Sequence, residues 1–396
     1  MLLDAASGRH LTYCTNIHPA DGWEQVRAAL EEHAPALRDR VRPAGPFGIG
    51  LRLSGRESRE VLERDRLEEL AALLDRHGLY VFTMNGFPHG AFHRTRVKED
   101  VHAPDWRSQE RVDYTLRLAA ILARLLPEGL HGGISTSPLT YRGWVDERDD
   151  ATWRHVTGNV VRVAEALARR EAETGTLIHV DLEPEPDGLL QDTDDVVAFF
   201  RDRLLPQGGR ELAARLHVSR EAAEALVLRH VRICLDTCHV ALVYDDPAAM
   251  LDRLAECGIH VGKVQISSAL AVALPDAEAV GALEAFAEST YLHQVIERDE
   301  DGIRRRFPDL RPALEAGGDG AQEWRVHFHV PVFLQGYGRF ASTQPTIRAV
   351  LDLLRERGFC QHLEIETYTW EVLPQDLRLP LVDSIAREYA FVLEAA

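Results

Sequence analysis

Acidic residues stand at the ends of three β-like segments of the sequence, at Glu183, Asp236 and Glu366. In each segment one set of alternate residues is apolar and the other is polar or ionisable, whereas strands buried on both faces are normally almost entirely apolar. Carboxylates gathered at the ends of neighbouring strands repel one another unless a cation lies between them. We therefore predict that these three residues bind a divalent metal ion. An interior lattice of salt bridges is the alternative.

Four further residues extend the predicted site. Gln265 ends the polar set of a fourth segment, and an amide oxygen can bind a hard divalent ion. His239 follows Asp236 by three residues, while His327 and His329 share one face of the segment RVHFHVPVF. Because imidazole suits transition metals, we expect these histidines to form a second site. The predicted cofactor is one or two divalent ions, Mn, Mg, Zn or Fe, although alternating histidines also occur on the polar outer face of a strand.

Other polar and aromatic residues near these segments are candidates for substrate binding. The segment NGFPHGAFH follows the third strand, and aromatic walls with a few polar groups suit a small polyol or ring compound. Arg52 and Lys263 have inward parity, so they either bind a phosphate or carboxylate or offset the acidic cluster. The candidates are Asn85, Phe87, His89, His93, Arg52, Lys263, Trp106 and His293. Packing in a Gly/Pro turn is the structural alternative for the residues of the NGFPHGAFH segment, and core packing is the alternative for Trp106.

Eight β-like segments alternate with amphipathic helical segments along the whole chain, a pattern typical of repeated βα units. They cover residues 11–17, 47–53, 79–84, 132–136, 177–182, 231–235, 261–266 and 362–365. We predict an α/β protein in which residues 1–396 form a single (β/α)₈ TIM barrel. Residues 184–230 and 267–325 are predicted insertions after strands 5 and 7, and the charged run 297–306 is expected to be a solvated surface.

Composition narrows the possible partners. The 396 residues include 45 Lys and Arg against 63 Asp and Glu, a formal net charge of −18. Such a charge disfavours binding to nucleic acid, which requires neutralisation of phosphates. The chain has no long apolar segment for membrane insertion and no signal-like start, so we expect a cytoplasmic protein. A small molecule is the expected partner, and a homo-oligomer stays open.

The motifs at these residues resemble those of the xylose-isomerase-like TIM barrel superfamily, which includes endonuclease IV and the tagatose-type sugar epimerases. EPEP at 183–186 is similar to the Glu-Pro-Lys-Pro strand end of xylose isomerases, and DTCH at 236–239 to the sixth-strand motif of endonuclease IV. Glu366-Thr367 resembles the last-strand Glu-Thr of that family, and HFH at 327–329 resembles its Asp-x-His loop. Asn85, Ser137 and Gln265 stand where endonuclease IV has histidines, so we do not expect its complete trinuclear zinc site.

More narrowly, the whole chain resembles EboE-type metabolite traffic proteins. The resemblance is carried by TYCTNIHP at 12–19, NGFPHGAFH at 85–93, APDW at 103–106, STSPLTY at 135–141 and LEPEP at 182–186. It implies a role in the biosynthesis or traffic of small secondary metabolites.

The function that we predict is a metal-dependent isomerase or epimerase acting on a sugar-like or cyclitol-like small molecule. The resemblance to tagatose-type epimerases implies that Glu183 and Glu366 are the acid/base pair, and Glu185 is not required. The alternative is that both residues are metal ligands only. Three other functions stay open: an endonuclease-IV-like phosphodiesterase, a multinuclear-iron oxidative enzyme and a non-catalytic metabolite-binding carrier.

Overall fold

The computed structural model describes residues 1–42, 44–90, 98–274, 276–286, 292–368 and 380–395. Its strands are β1 (Leu2–Asp4), β2 (Arg9–Tyr13), β3 (Phe47–Arg52), β4 (Leu79–Asn85), β5 (Gly132–Thr136), β6 (Ile178–Leu182), β7 (Val231–Asp236), β8 (Val261–Ile266), β9 (Leu270–Ala273), β10 (Val295–Asp299), β11 (Gly302–Phe307), β12 (Glu323–Val326), β13 (Gly336–Tyr337), β14 (Phe340–Ser342) and β15 (His362–Ile365). Its helices are α1 (Trp23–Val41), α2 (Gly55–Val61), α3 (Arg66–Arg76), α4 (Gln109–Leu125), α5 (Asp150–Thr174), α6 (Thr193–Phe199), α7 (Leu205–Leu216), α8 (Arg220–His230), α9 (Thr237–Leu242), α10 (Pro247–Glu256), α11 (Ala277–Leu283), α12 (Leu310–Ala316), α13 (Gln344–Arg357) and α14 (Leu381–Ala395).

Eight parallel strands form a barrel, in the order β2-β15-β8-β7-β6-β5-β4-β3. The ring is completed where a parallel bridge joins Cys14, just after β2, to Gly50 of β3. β1 adds to β2 in antiparallel orientation. The predicted TIM barrel is confirmed, and its strands begin and end within four residues of the predicted limits.

Amphipathic helices cover the outside of the barrel because their apolar residues recur every three to four positions. In α3, for example, Leu70, Leu73 and Leu74 are buried. Local signals fix where helices begin: Ser54 and Glu57 form a reciprocal capping box at the start of α2. None of the helices in the described residues is both long and apolar enough to span a membrane.

A buried ion pair fills the middle of the barrel. Lys263 Nζ lies 2.7 Å from Glu364 Oε1 and 3.1 Å from Ser135 Oγ, and all three side chains are buried. A Cβ at residue 50 would lie 1.7 Å from Glu364 Oε2, so only glycine leaves room for this carboxylate. Burial opposes the charge on Lys263, yet Glu364 raises the pKa of the amine overall. The Lys263 amine therefore stays protonated inside the barrel, where Glu364 is its charged partner.

A second, six-stranded sheet lies in the insertion after β8, in the order β11-β10-β12-β9-β14-β13. Its apolar face has a core of its own, which includes Trp324, Val326 and Phe328. The sheet continues to Ser342, whereas the sequence predicts that the insertion ends at residue 325. The sequence does not reveal β13 and β14 because these strands are too short to show an alternating pattern. The predicted solvated run is wrong at Glu297, which is 0% exposed and accepts hydrogen bonds from Arg305 and Trp324.

Candidate metal centre

Three carboxylates and one amide meet at the carboxyl end of the barrel. Glu183 follows β6, Asp236 ends β7, Gln265 lies near the end of β8 and Glu366 follows β15. One oxygen from each of the three carboxylates lies within 4.8 Å of the others, and all four side chains are buried. The structure thus brings together the four residues that the sequence groups as the first site.

The Gln265 amide lies at the centre of this group. Its Nε2 is 3.0 Å from Glu183 Oε1, 3.3 Å from Asp236 Oδ2 and 2.6 Å from Glu366 Oε2. An amide NH₂ has two hydrogens, so it cannot satisfy three carboxylates. Among the described residues Glu183 Oε2 has no hydrogen-bond partner, although it is buried. Buried oxygens that lack donors are a ligand set that fits a divalent cation, and Gln265 presents its own oxygen if the amide is reversed.

Neighbouring groups orient two of the carboxylates. Asp236 Oδ1 accepts hydrogen bonds from the backbone N–H groups of Cys238, at 2.7 Å, and His239, at 3.2 Å, which places it at the N-terminus of α9. Glu366 Oε1 accepts from Asn16 Nδ2 at 2.7 Å and from Asn85 Nδ2 at 2.9 Å. The remaining oxygens, Asp236 Oδ2 and Glu366 Oε2, therefore point towards Gln265.

Burial and mutual repulsion change the acidity of the cluster. Burial, with repulsion from Glu366 and Asp236, raises the pKa of Glu183 well above its usual value. Burial also raises the pKa of Glu366, to about 7, although His329 opposes the shift. For Asp236 burial is outweighed by His239, His329 and a hydrogen bond from Ser267, so its pKa is lowered. Protons therefore neutralise part of the cluster at neutral pH, and a cation would compete with them.

Three histidines lie beside the carboxylates, and each directs its Nε2 atom towards the others. Each Nδ1 lies near an oxygen that can only accept: His239 near Pro184 O at 3.1 Å, His327 near Gln294 Oε1 at 2.7 Å and His329 near Glu366 O at 2.9 Å. The Nδ1 atoms therefore carry the hydrogens, and in neutral rings the Nε2 atoms present lone pairs. His327 Nε2 is 3.3 Å from His239 Nε2 and 3.1 Å from His329 Nε2. Convergent imidazole lone pairs are the donor set of a transition-metal site.

The second sheet positions two of these histidines, which follow β12. His293 stacks on Phe328, with ring centroids 4.0 Å apart, and its Nδ1 donates to His327 O at 2.9 Å. Burial, with the neighbouring histidines, lowers the pKa of His327 well below its ordinary value. The ring thus stays neutral, which is the form that binds metal.

Asp236 belongs to both groups. Donor atoms of Asp236, His239 and His329 lie within 4.8 Å of one another, as do those of Asp236, Glu183 and Glu366. Asp236 would therefore be able to bind an ion held by either group.

Both groups open into a cleft at the carboxyl end of the barrel. Its walls combine apolar, aromatic and amide side chains with the acidic and histidine groups. The lining residues are Asn16, Asn85, Phe87, Pro88, Lys98, Val101, Glu183, Glu185, His239, Leu292, Gln294, His327, His329, Glu366 and Tyr368.

Only some of the predicted substrate-binding residues line the cleft in the described structure. Asn85 and Phe87 line the cleft. Neither Arg52 nor Lys263 is among the described residues that line the cleft. The Arg52 guanidinium donates to the carbonyls of Pro88 and Gly90. Lys263 lies deeper in the barrel, against Glu364. Parity correctly places both side chains inside, but it does not specify how deep they lie along the barrel axis.

Three other candidates do not line the cleft in the described structure. His89 lies 3.1 Å from Glu110, Trp106 is in the main apolar core, and His293 supports His327 from behind. His93, the last candidate, lies outside the described residues.

The sequence analysis missed several residues that the structure places at the cleft, among them Asn16 and Tyr368, and it set Glu185 aside. Asn16 holds Glu366, and its only signal is its position just after the first barrel strand. Glu185 lines the cleft with its Oε1 2.9 Å from Nε2 of His102, which is fully buried. His102 comes from a long connection whose pattern gives no strand or helix end to mark it.

Comparisons with known proteins give only distant similarities. No family model matches the chain, and no curated protein matches it. Similar solved structures include the IolI protein with a bound zinc atom, at 13% identity and TM-score 0.45, covering 97% of both chains. They also include the probable 3-DHS dehydratase AsbF from Bacillus anthracis, at 11% and 0.44, covering 97% of this chain and 98% of that one. A xylose isomerase domain protein from Salmonella typhimurium matches at 12% and 0.43, covering 99% of each.

At identities of 11–13%, these similarities concern the fold alone. The narrower resemblance to EboE-type proteins stays a prediction.

Proposed function

We propose that this protein is a metal-dependent isomerase or epimerase of a sugar-like or cyclitol-like small molecule. The observation that carries the proposal is the group of three buried carboxylates around Gln265, which opens into a cleft and leaves Glu183 Oε2 without a donor in the described residues.

The chain's own residues supply the ligands. Glu183, Asp236, Glu366 and the Gln265 oxygen would hold one divalent ion, and His239, His327 and His329 would hold a second. A bound divalent cation stabilises negative charge on a substrate carbonyl oxygen, an effect worth several kcal/mol.

Two of the carboxylates differ in a way that suits proton transfer. Glu183 Oε2 faces no hydrogen-bond donor among the described residues. Once a cation has displaced the proton of this carboxyl, Glu183 is available to remove a proton from the carbon beside a carbonyl. Glu366 is held by Asn16 and Asn85 and stands on the opposite wall, since β7 and β8 separate β6 from β15. It returns a proton to the substrate from the other side. The electron pair left on carbon moves into the carbonyl and back, so no oxidant is needed.

The walls of the cleft favour a polyhydroxylated substrate. Asn16, Asn85 and Gln294 offer amide groups to hydroxyls, and Phe87 and Tyr368 offer ring faces to a compact carbon skeleton. These groups suit the hydroxyls and the carbon skeleton of a monosaccharide or a cyclitol ketone.

A phosphodiesterase is the second candidate, because Asp236 is common to two possible metal groups, as in enzymes that clamp a phosphate between two ions. The charge of the site argues against it. Lys98 is the one Lys or Arg among the described lining residues, and its Nζ lies 2.6 Å from Asp309. Together with the net charge of −18, this gives a nucleic acid few phosphate contacts.

Solvent exchange tests the proposal. Protein loaded with Mn²⁺ or Zn²⁺ is incubated with ketoses and inososes in deuterated water, and deuterium at the carbon beside the carbonyl is followed by NMR. We expect incorporation, slowed at least ~100-fold in Glu183→Gln. Glu57→Gln, a buried carboxylate in the α2 capping box, is the matched control. Turnover without deuterium would contradict proton transfer, and no turnover of any polyol would favour a carrier.

A further inference from the structure

A second histidine cluster lies at the opposite, amino end of the barrel. His131 immediately precedes β5, His179 is the second residue of β6, and His362 is the first residue of β15. One ring nitrogen from each lies within 4.8 Å of the others. Since β5 and β6 are neighbours and β15 lies across the barrel from them, the cluster connects opposite walls.

Hydrogen bonds fix the state of two of these rings. Gln361 Nε2 donates to Ser7 O at 3.1 Å, so its Oε1, 2.7 Å from His131 Nε2, is the acceptor there. His131 Nε2 therefore carries a hydrogen. His179 Nδ1 lies 2.6 Å from Asp181 Oδ1, and when Asp181 is ionised its carboxylate can only accept, so the ring donates to it.

The two remaining nitrogens face each other. His131 Nδ1 and His179 Nε2 are 3.0 Å apart, and in neutral rings both present lone pairs. Two lone pairs at this distance repel unless a proton or a metal ion lies between them. Around a tetrahedral zinc ion with Zn–N bonds near 2.05 Å, ligand nitrogens are about 3.3 Å apart, so only a small movement is required.

His362 supplies the third donor. Its side chain is buried and stacks on His131, with ring centroids 4.3 Å apart, and in the described structure its Nδ1 has no hydrogen-bond partner. A Cβ at residue 133 would lie 3.2 Å from this Nδ1 and 2.7 Å from Asp181 Oδ2. Gly133 therefore leaves the space in which the His362 ring can turn towards the other two.

We propose that His131, His179 and His362 form a structural site for a zinc-class transition-metal ion, separate from the centre at the carboxyl end. Asp181 orients His179, as carboxylates commonly do for metal-binding histidines. His131 is partly exposed and gives the ion a route from solvent and a position for a water ligand. The bound ion joins β5 and β6 to β15, at the end of the barrel where residues serve stability.

Metal stoichiometry of the full-length protein tests this site without reference to activity. Chelator-treated protein is titrated with Zn²⁺ and analysed for bound metal, and Co²⁺ absorption reports tetrahedral coordination. We expect His131→Ala and His179→Gln each to lose one equivalent relative to the wild type. His260→Ala, an exposed histidine just before β8 at the same end, is the matched control and should lose none.

Two further measurements distinguish a bound metal ion from a proton shared by His131 and His179. Zn²⁺ should raise the melting temperature of a His327→Ala variant by roughly 2 °C or more, and this shift should become smaller when His131→Ala is added, because only the carboxylate group then still binds the ion. Equal zinc content in the wild type, His131→Ala and His179→Gln would overturn the site. Nitrogen NMR that shows one protonated ring shared by His131 and His179, unchanged by Zn²⁺, would also overturn it. Loss of deuterium exchange alone would concern only the carboxyl-end centre.

Discussion

His327 and His329 face each other through their Nε2 atoms, 3.1 Å apart, while their Nδ1 atoms donate to Gln294 Oε1 and Glu366 O. The hydrogen bond from His329 to Glu366 O joins the second sheet to the barrel. Glu366 belongs to the barrel and holds His329 through its backbone, while its carboxylate belongs to the acidic cluster. The second sheet therefore fixes the histidine group relative to the carboxylates, and both groups depend on the same residue.

Removing the acceptor behind His327 should weaken the histidine site. In Gln294→Ala the Nδ1 hydrogen loses its partner, so the ring loses its orientation, and we expect Co²⁺ or Zn²⁺ affinity to fall by about 10–100-fold. Titration calorimetry measures the change. Gln294→Glu keeps an acceptor oxygen and should retain most of the affinity. An equal loss in Gln322→Ala, an exposed glutamine before β12, would show that the effect is not local.

Asp236 should be the most sensitive carboxylate, because it belongs to both groups. Asp236→Asn keeps an oxygen to cap α9 but removes the charge, and we expect the affinity for Mn²⁺ to fall by more than the roughly 100-fold typical of outer-shell changes. Asp246→Asn makes the same change at the N-terminus of α10, where the side chain also accepts a backbone hydrogen bond. Full metal content in Asp236→Asn would contradict the assignment.

The sequence predicts the barrel well for a physical reason. Its strands alternate two kinds of residue, so both their positions and their inward faces can be read from the period of two. Parallel strands bring their carboxyl ends to one rim, and this groups Glu183, Asp236 and Glu366 before any coordinates are known.

The alternating pattern of the sequence does not show which residues contact one another across strands, or how deep a side chain lies along the barrel axis. Glu297 sits in a run of charges that looks solvated, but Arg305 and Trp324 reach it from neighbouring strands and bury it. Asn16 is a neutral residue with no period, so nothing marks it as the donor to Glu366. Such contacts depend on register and loop path, which only the folded chain determines.

The buried Lys263 and Glu364 pair makes a prediction about stability. Lys263→Met leaves an unpaired carboxylate in the barrel and should lower the free energy of unfolding by about 3–5 kcal/mol. Adding Glu364→Met removes that charge and should restore much of the loss, so the two changes are not additive. Urea denaturation of the two single variants and the double variant measures the coupling. A Lys263→Met protein as stable as the wild type would contradict a structural role.

Glu388 on α14 should make stability fall as pH rises. Burial raises its pKa to about 8, although Thr367 and the Val332 N–H donate to it and oppose the shift. Below its unfolded pKa of 4.5 the group is protonated in both states and contributes no pH dependence. Between that value and about 8 the unfolded chain loses the proton while the folded protein keeps it, so folding stability decreases with pH.

Comparison of Glu388→Gln with the wild type isolates this effect. The wild type should lose about 2–3 kcal/mol more than the variant between pH 5.5 and 7.5, since two pH units correspond to about 2.7 kcal/mol for one proton. Urea midpoints and slopes across this range, measured with chelator present, give the difference, because other buried acids titrate in both proteins and cancel. Glu394→Gln, an exposed position on the same helix, should follow the wild type. Parallel curves for Glu388→Gln and the wild type would show that Glu388 is ionised in the folded protein.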